Sequence, residues 1–431
     1  MTEQEVNALN PTLGGFLDQF QFCCAYSQTF EHLGRYVRGL LSDLKSKNAE
    51  AIAVLAGIPP RTLQQFLRDH VWDQSQVRAN LQTHVADLLR TLPDEDGLGT
   101  VGVIDETSDV KDGRYTPGVK RQYLGCVGKI DNGIVTVHTG VARGSFKTLL
   151  DADLFLPEDW SDDRDRCRAA GIPNSIVHRP KWQIALEQLD RLKSNSVSFA
   201  WLTFDEGYGM SPEFLFGLDR RVLPFVGEVP KSFSCMAVHR NGKGPAEGVK
   251  GRHAEDVVRT TSAFCGQPWQ VLKLKRQTRA DQVWRVKAAR VWLSSSAGWS
   301  VDSYWLIWAC NDETGEEKFF LSNAPVEATV EVMVRVAFMR WNVEHSFRLC
   351  KKDIGLADYE GRNYVGLQRH LTLTLVAMTF VAEHTQRLRG KKSAGNNGAD
   401  LPVLARDLPP VLAGPTGEVG TVLSDGTRFV L

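Results

Sequence analysis

Residues 101–107, VGVIDET, and residues 199–209, FAWLTFDEGYG, decide the fold that this sequence predicts. Each is an apolar strand that ends in an aspartate, Asp105 or Asp205, and continues into polar residues. The point where a strand leaves a sheet is where α/β proteins present groups to ligands. A single aspartate there is usually a turn former or a helix cap. Two such aspartates in one chain therefore indicate a shared site more strongly than either does alone.

The segment between these stretches predicts a β-hairpin. Residues 122–129 form its first strand and residues 134–141 its second, with a tight turn at Asp131-Asn132-Gly133. The Asn-Gly pair supplies the positive φ angles that two-residue hairpin turns need. The hairpin and the strand before Asp105 give three consecutive strands.

Helices and strands then alternate along the chain. A helix beginning at Pro180 is predicted from apolar residues at helical spacing, and a buried strand over 197–204 follows it. Another helix from about Ser211 and a short strand over 222–226 continue the alternation. Three strands followed by helix, strand, helix and strand is the order of a ribonuclease H-like fold. The prediction is a multi-domain α/β protein whose mixed sheet, with flanking helices, begins in residues 99–228.

The first 98 residues predict an all-α N-terminal domain. Residues 51–70, AIAVLAGIPPRTLQQFLRDH, indicate two short helices with a turn at Ile58 to Pro60, which is the pattern of a helix-turn-helix. Its second helix would place Arg61, Gln64 and Gln65 in a major groove, where these side chains read base edges. An ordinary helical hairpin fits the same pattern, since the surroundings are acidic. Residues 1–98 contain eight Lys and Arg against twelve Asp and Glu, a net charge of −4.

Residues 229–324 predict a basic, β-rich insertion. Segments such as 282–287 and 303–308 alternate or run apolar as strands do. The whole chain has 51 basic and 51 acidic residues, but residues 231–290 contain thirteen Lys and Arg against four Asp and Glu, a net charge of +9. Such a segment is suited to a polyanion, because phosphate contacts are mostly electrostatic. The predicted phosphate-binding residues are Lys231, Lys273, Lys275, Arg276 and Arg279.

Helical spacing resumes after the insertion. One helix is predicted over 326–352 and a second over 366–387, which makes residues 325–390 the last helices of the catalytic domain. Residues 391–431, rich in Gly, Pro and Asn, predict a flexible C-terminal tail. The first of these helices carries Glu344 among apolar residues, and an acid in such surroundings needs a reason to be there. Arg340 and Lys351 fall near Glu344 on the same predicted helical face, either as a solvated ion pair or as cations that bind phosphates.

Composition excludes several classes of protein. Hydrophobic residues at 42% and charged residues at 24% are typical of a soluble globular chain. Neither an uninterrupted apolar stretch of roughly 18 residues nor a basic region followed by an apolar one occurs, so no membrane partner and a cytoplasmic location are expected. The eight cysteines form no Cys-x-x-Cys pair, which argues against a zinc or redox centre.

Three acids suit one kind of chemistry. In-line cleavage of a phosphodiester is assisted by two Mg²⁺ ions roughly 4 Å apart, which stabilise the entering and the leaving oxygen. Mg²⁺ takes oxygen ligands and usually binds only one or two protein carboxylates per ion. Asp105, Asp205 and Glu344 are therefore sufficient for a two-ion site, in which Mn²⁺ is expected to substitute.

The chain resembles the DDE transposases of bacterial insertion sequences, in a subgroup akin to the cut-and-paste enzymes. The matching motifs cover roughly the first 385 residues, and only the tail falls outside them. They are PPRTLQQFL (59–67), GVIDETSDVKDGRYTPGVKRQYLGCVGKIDNG (102–133), LFLPEDW (154–160), FDEGYG (204–209) and RWNVEHSFRLCKKDIGLADYEGRNYVGLQRHLTLTLVAMTF (340–380).

The resemblance implies the role of each candidate residue. In that family two Asp and one Glu bind the metal ions, which transfers to Asp105, Asp205 and Glu344. The hairpin-forming branch has a Tyr-Arg-Glu-Lys signature, and Arg340, Glu344 and Lys351 fit its spacing. The tyrosine position is Ala337 here, which weakens the expectation of DNA hairpin intermediates. The family also has a β-rich insertion between its second Asp and its Glu.

The predicted activity is that of a transposase that binds element ends, cuts to expose 3′-OH ends and joins them to target DNA. Its expected partners are double-stranded DNA, both terminal inverted repeats and target, and a second copy of the chain. Two alternatives remain at this point: a non-catalytic DNA-binding relic, and a metal-dependent nuclease on the same fold. Survival of all three acids argues against the relic, and only joining of 3′ ends distinguishes a transposase from the nuclease.

Overall fold

The structure is a computed structural model of the full chain. It describes residues 9–238, 244–246, 248–274, 281–296 and 298–392, except the side chains of 342–345 and 389–392. Helices and strands are both abundant in the described residues. The predicted mixture of α and β structure is confirmed.

Helices make up the N-terminal part, as predicted. They are α1 (Leu9–Leu17), a 3-10 helix (Asp18–Cys23), α2 (Ser27–Leu40), α3 (Ala49–Leu55), α4 (Pro60–Arg68) and α5 (Gln74–Thr91). The apolar stripe of α2 is buried, with Leu33, Tyr36 and Val37 fully inaccessible to solvent. Helical spacing of apolar residues thus translates into one packed face.

Helices α3 and α4 occupy the segment in which a helix-turn-helix was predicted. Asn48 caps α3 by accepting a hydrogen bond from the backbone of Ala51 at 2.9 Å, and Gly57 takes the left-handed conformation in the turn. Pro60 is the first residue of α4, where its missing N–H costs nothing. The two helices and their turn are confirmed, whereas their use in reading DNA stays a prediction.

A mixed sheet follows these helices. Its strands are β1 (Val101–Val110), β2 (Lys120–Leu124), β3 (Lys129–Arg143), β4 (Phe146–Leu154) and β5 (Trp201–Phe204). Their order is β2-β3-β1-β5, with β4 also paired to β3. β5 runs parallel to β1, and the other pairs are antiparallel. The predicted strand over 197–204 is thus shortened to four residues, and β4 was not predicted.

The predicted hairpin exists, but its turn is not where the sequence placed it. The chain reverses through residues 125–128, where Gly128 has φ +66°, and Asp131-Asn132-Gly133 lies inside β3. Asn132 donates its side-chain amide to Gly113 O at 2.9 Å instead of forming a turn. Gly133 is required by close approach, since a Cβ there would lie 2.3 Å from Asp109 O. The Asn-Gly pair therefore allows β3 to pack closely against the end of β1 and the residues that follow it.

Helices follow β4 in the chain. They are α6 (Glu158–Asp162), α7 (Arg164–Ala169), α8 (Lys181–Ser194), α9 (Glu206–Gly209) and α10 (Pro212–Arg220). Among them, α8 packs against β3 and β4. Pro180 and Ser211 precede α8 and α10, as the sequence predicted. The predicted strand over 222–226 is wrong in position, because Val222 has φ +56° and the strand begins only at Val226.

A second, eight-stranded sheet forms the β-rich region. Its strands are β6 (Val226–Val229), β7 (Ser234–Ala237), β8 (Arg252–His253), β9 (Gln270–Leu274), β10 (Gln282–Ser295), β11 (Gly298–Trp299), β12 (Tyr304–Cys310) and β13 (Glu317–Ser322). Their main order is β6-β13-β12-β10-β7-β8. Two short helices, α11 (Ala254–Thr260) and α12 (Ser262–Cys265), interrupt the strands. The predicted strand-rich character is confirmed, and β6 extends this sheet a few residues before position 229.

The helix predicted over 326–352 is wrong as a single element. The chain forms α13 (Val330–Phe338), α14 (Trp341–Leu349) and a π-helical turn (Cys350–Ile354). Thr329 caps α13, and the break at Met339 and Arg340 separates α13 from α14. A π-helical turn widens the helix, so Lys351 is displaced from the face that an α-helix would give it.

The last helix, α15 (Tyr364–Lys392), lies at the centre of the molecule. It contacts β4 of the mixed sheet and α2, α4 and α5 of the N-terminal part. Residues 364–388 are long and apolar enough to cross a membrane, but they are almost entirely buried inside the fold, as in the core helix of a soluble protein. The flexible tail was predicted over 391–431; residues 391 and 392 are the end of α15, and residues 393–431 lie outside the described residues.

Candidate active site

Adjacent parallel strands place Asp105 and Asp205 side by side. Ile104 in β1 is the register partner of Phe204 in β5, and each aspartate is the next residue along its chain. Neighbouring strands lie about 4.8 Å apart, so the two carboxylates share one edge of the sheet. The structure thus brings together the two acids that the sequence singled out. Only Asp205 follows the end of its strand, because β1 continues to Val110, so the prediction that a strand ends at Asp105 is wrong.

Local hydrogen bonds orient both carboxylates. Asp205 caps α9, where its side chain accepts a hydrogen bond from the backbone N–H of Tyr208 at 3.3 Å. Asp105 accepts one from the backbone N–H of Glu106 at 2.8 Å. Gly209 allows α9 to approach the second sheet, because a Cβ there would lie 1.9 Å from Glu228 O. The FDEGYG motif therefore builds a tight cap that fixes Asp205.

The environment of Asp105 disfavours its negative charge. Burial and the neighbouring charge of Asp205 raise the pKa of Asp105 to about 7, although Arg340 acts in the opposite direction. Arg340 offsets the charge only partly, since its Nη1 lies 3.5 Å from Asp105 Oδ2. A buried carboxylate facing a second one is stabilised by a cation placed between them. Two hard oxygen donors in this arrangement fit a divalent ion such as Mg²⁺.

The third predicted ligand, Glu344, lies on α14, which contacts β1. Its side chain is outside the described residues. Among the side chains that the structure describes, no group of three or more His, Cys, Asp and Glu is arranged as a metal site. The role of Glu344 as a metal ligand therefore stays a prediction that its backbone position on α14 allows.

The two cations predicted near Glu344 have different surroundings. Arg340 reaches Asp105, as described above, at the start of α14. Lys351 lies in the π-helical turn and donates from Nζ to the backbone oxygen of Ser108 in β1 at 2.7 Å. Burial lowers the pKa of Lys351. In this structure Lys351 therefore holds β1 in place, and its predicted role as a phosphate-binding cation remains untested.

Two residues near the carboxylates were not predicted from the sequence. Lys181 Nζ lies 2.7 Å from Glu106 Oε1, immediately beside Asp105. Tyr208 is buried, and its hydroxyl has no hydrogen-bond partner among the described residues. Burial raises the pKa of Tyr208, and so do the carboxylates of Glu106, Asp105 and Asp205. Its place in FDEGYG, one helical turn after Asp205, was the available signal.

The predicted DNA-binding residues lie in two regions. Arg61 and Gln64 are exposed on α4 and Gln65 is half-buried, while the apolar face of α4 packs inward through Leu63 and Phe66.

In the second region, Lys231 Nζ lies 4.0 Å from Glu255 and Lys273 Nζ 3.4 Å from Asp281, so each lysine has a carboxylate partner. Lys275, Arg276 and Arg279 lie outside the described residues. All eight assignments stay predictions.

Residues 19–292 match the family model described as DDE superfamily endonuclease. The match includes β1, β5 and both aspartates, and it ends before Glu344.

One curated relative is the probable transposase for insertion sequence element IS701 from Microchaete diplosiphon. It is 33% identical over 191 residues, which are 44% of this chain and 46% of the relative. The chain thus matches slightly less than half the length of that relative.

Two solved structures are distant neighbours. A piggyBac transposase synaptic complex with hairpin DNA gives a TM-score of 0.41 at 11% identity, covering 88% of this chain and 71% of that one. The NurA nuclease from Sulfolobus solfataricus gives a TM-score of 0.23 at 10% identity, covering 60% and 81%.

Proposed function

The chain belongs to the DDE superfamily endonucleases, and from this premise we propose that it is the transposase of a bacterial insertion sequence. It would bind the element ends, cut a phosphodiester bond to expose a 3′-OH, and join that end to target DNA. The observation that carries the proposal is the pairing of Asp105 and Asp205 on parallel strands, where burial and the neighbouring Asp205 raise the pKa of Asp105.

The strand arrangement supports a ribonuclease H-like catalytic domain. β3 and β4 extend the sheet on one side of β1 through antiparallel pairs, and β5 extends it on the other side as a parallel strand. A parallel bridge between Leu202 and Phe225 continues the order beyond β5. Four strands come first, then helices including α8, β5, helices including α10, and β6, which is one strand more before the first helix than the sequence predicted.

Asp105, Asp205 and Glu344 would hold two Mg²⁺ ions, for which Mn²⁺ is a substitute. Bound there, the ions would stabilise the charge that develops on the entering and leaving oxygens of an in-line displacement. The chain's own residues fix the geometry: the α9 cap orients Asp205, and Arg340 holds Asp105 from the side of α14. Lys351 secures β1 three residues beyond Asp105 through Ser108 O.

The two proposed steps are balanced displacements at phosphorus. In cleavage, a water oxygen bonds to phosphorus, the bond from phosphorus to the 3′ oxygen breaks, and the proton that water loses is balanced by the one that the 3′ oxygen gains. In joining, the 3′-OH oxygen attacks a target phosphate and displaces a target 3′ oxygen in the same way. We infer that double-stranded DNA is the substrate, that the chain works as a homodimer, and that it acts in the cytoplasm on nucleoid DNA.

An in vitro reaction tests this function. Wild-type protein, Mg²⁺ and the terminal DNA that flanks the gene are expected to give cut ends and joined products. Asp105→Ala, Asp205→Ala and Glu344→Ala should each reduce both by at least about 100-fold, since even residues that support metal ligands contribute roughly 10- to 100-fold. Asp87→Ala is the matched control, because its side chain is 62% exposed on α5.

The products separate the alternatives. Cutting without joining would identify a nuclease on this fold and overturn the transposase assignment. Binding without cutting would identify a relic. Full activity in one of the three variants would remove that residue from the site.

A further inference from the structure

A basic and aromatic surface lies where β1 ends, away from the residues to which DNA binding was assigned above. We name it the strand-end surface, and it consists of Arg114, Tyr115, Arg121, Tyr123 and Arg362. All five are exposed, with Tyr115 at 58% and Tyr123 at 64%. Residues 111–130 contain five Lys and Arg and one acidic residue.

Contacts make this surface continuous. Arg121 in β2 is the register partner of Asn132 in β3, and the Asn132 side chain donates to Gly113 O at 2.9 Å. Next to Gly113, the guanidinium carbons of Arg114 and Arg362 lie 6.0 Å and 5.1 Å from the centre of the Tyr115 ring. The aromatic ring thus joins two arginines that are far apart in sequence.

The chain under the surface is held in place. Lys111 Nζ donates to Ala357 O at 3.1 Å and Tyr359 O at 2.7 Å, which ties the end of β1 to the segment that carries Arg362. Arg166 donates to Arg114 O at 3.1 Å from the other side. A charged surface on a fixed backbone loses little freedom when it binds a partner.

The arginines of this surface differ from the lysines of the insertion. Lys231 and Lys273 each lie near a carboxylate. Among the residues that the structure describes, Arg114, Arg121 and Arg362 form no ion pair. A guanidinium that lacks a carboxylate keeps its hydrogen-bond donors for an external anion, and phosphate is the anion that Arg recognises best.

The distance between the carboxylates and this surface determines how far from the cut bond the surface would contact DNA. The Asn132 side chain also donates to Lys111 O, so Lys111 lies beside the strand-end surface. Six residues of extended chain separate Asp105 from Lys111, which is roughly 20 Å at about 3.3 Å per residue. Successive phosphates along one DNA strand advance about 3.4 Å, so this span corresponds to about six base pairs. We propose that the strand-end surface binds the phosphates of duplex DNA about six base pairs from the bond that is cut. This inference rests on the proposed function.

Binding at different salt concentrations tests the proposal. Arg121→Gln combined with Arg362→Gln should reduce the slope of log affinity against log salt by about 1.8, since each lost phosphate contact removes about 0.9. The matched control is Arg90→Gln combined with Arg220→Gln, which removes the same charge from two exposed positions elsewhere. An equal slope in wild type and the first variant, or an equal reduction in both variants, would overturn the proposal.

Duplex length gives a second measurement. With duplexes that extend to different lengths from the cut, wild-type affinity should rise when the duplex passes about six base pairs, and the rise should be absent in the Arg121 and Arg362 variant. Cutting by wild type with no such step, or the same step with single-stranded DNA, overturns the inference and leaves the proposed function standing. Failure of wild type both to cut and to bind overturns the two together.

Discussion

Two pairs of aspartates in the same sheet have opposite electrostatic surroundings. Asp105 and Asp205 lie at the edge formed by β1 and β5, whereas Asp151 and Asp153 lie on β4. The first pair faces one guanidinium at 3.5 Å, and the pKa of Asp105 is raised to about 7 by burial and by Asp205. The second pair is surrounded by donors, so the comparison separates carboxylates with one nearby guanidinium from carboxylates that two guanidinium groups and an amide neutralise.

The β4 pair is neutralised from two sides. Arg78 of α5 lies 3.0 Å from Asp151, and Arg191 of α8 lies 2.8 Å from the other oxygen of the same carboxylate. Gln188 donates to Asp153 at 3.0 Å. Burial alone would raise the pKa of Asp153, but Arg78, Arg191 and Gln188 hold it below its ordinary value. These contacts join the N-terminal helices to the sheet, which makes this pair structural.

Of the substitutions considered for these two aspartate pairs, removal of Arg78 should change the free energy of unfolding the most. Arg78→Met leaves the buried carboxylate of Asp151 with one guanidinium instead of two, and we expect the free energy of unfolding to fall by about 3 kcal/mol. Urea denaturation measures the change. Arg90→Met is the control: its side chain is 63% exposed, and the loss there should stay below about 1 kcal/mol. Equal losses in the two variants would show that the β4 cluster is not structural.

Acid should weaken the same cluster in the wild-type protein. The folded-state pKa of Asp153 is lowered, so its contribution to stability is present above the ordinary pKa of about 3.9 and is lost as the pH falls through the folded value. The difference in unfolding free energy between wild type and Asp153→Asn should therefore shrink below about pH 4.

Asp105→Asn should raise the free energy of unfolding when a chelator keeps metal ions from binding, whereas removal of Arg78 should lower it. The folded-state pKa of Asp105 is raised to about 7, so its ionised form opposes folding above that pH, and the penalty is absent below the ordinary pKa. At pH 8 we expect the variant to be more stable than wild type, and below about pH 4 equal to it. Asp87→Asn, on the exposed face of α5, should change neither value. A loss of stability at pH 8 would contradict the assignment of Asp105 as an uncompensated charge.

Tyr208→Phe should give the smallest change in the free energy of unfolding. Any change in DNA cutting can then be assigned to the lost hydroxyl and not to a less stable fold. As a hypothesis, the buried Tyr208 hydroxyl is used when DNA is bound. Without DNA it has no partner among the described residues, so its removal should leave the free energy of unfolding unchanged or raise it by up to about 1 kcal/mol.

Tyr36→Phe provides the contrast, because the Tyr36 hydroxyl lies 2.8 Å from His370 Nδ1 and its loss should cost about 1 kcal/mol. The Tyr208 variant should cut DNA more slowly despite unchanged stability. Unchanged cutting would leave the hydroxyl without a role.

The sequence predicted those parts of the fold that depend on local patterns. Apolar runs that end in Asp105 and Asp205 became neighbouring strands, and Pro180 and Ser211 stand at the start of α8 and α10. At these positions the structure follows the preference of the neighbouring residues in sequence, which is why the prediction was right there.

Errors arose where distant contacts decide the structure. Asn132 and Gly133 have the composition of a turn, but hydrogen bonds from Asn132 to residues near the end of β1 keep them inside β3. The break before α14 coincides with the contact between Arg340 and Asp105, which are 235 positions apart. The cluster around Asp151 and the strand-end surface likewise combine residues that no short window of sequence contains.

The central position of α15 has a consequence for folding during synthesis, because the N-terminal helices are made before the helix against which they pack. Its Arg369 donates to the backbone oxygens of Leu67 at 3.1 Å and Trp72 at 2.9 Å, so the N-terminal helices are held by an element that is synthesised much later than they are. About 300 residues separate the end of α5 from the end of α15, which is roughly 15 to 60 s of synthesis at about 5 to 20 residues per second. During that interval the N-terminal helices and the sheet are present without the helix that joins them. A ribosome that stops before residue 364 would therefore release the strands that carry both aspartates but not the core helix that completes the fold.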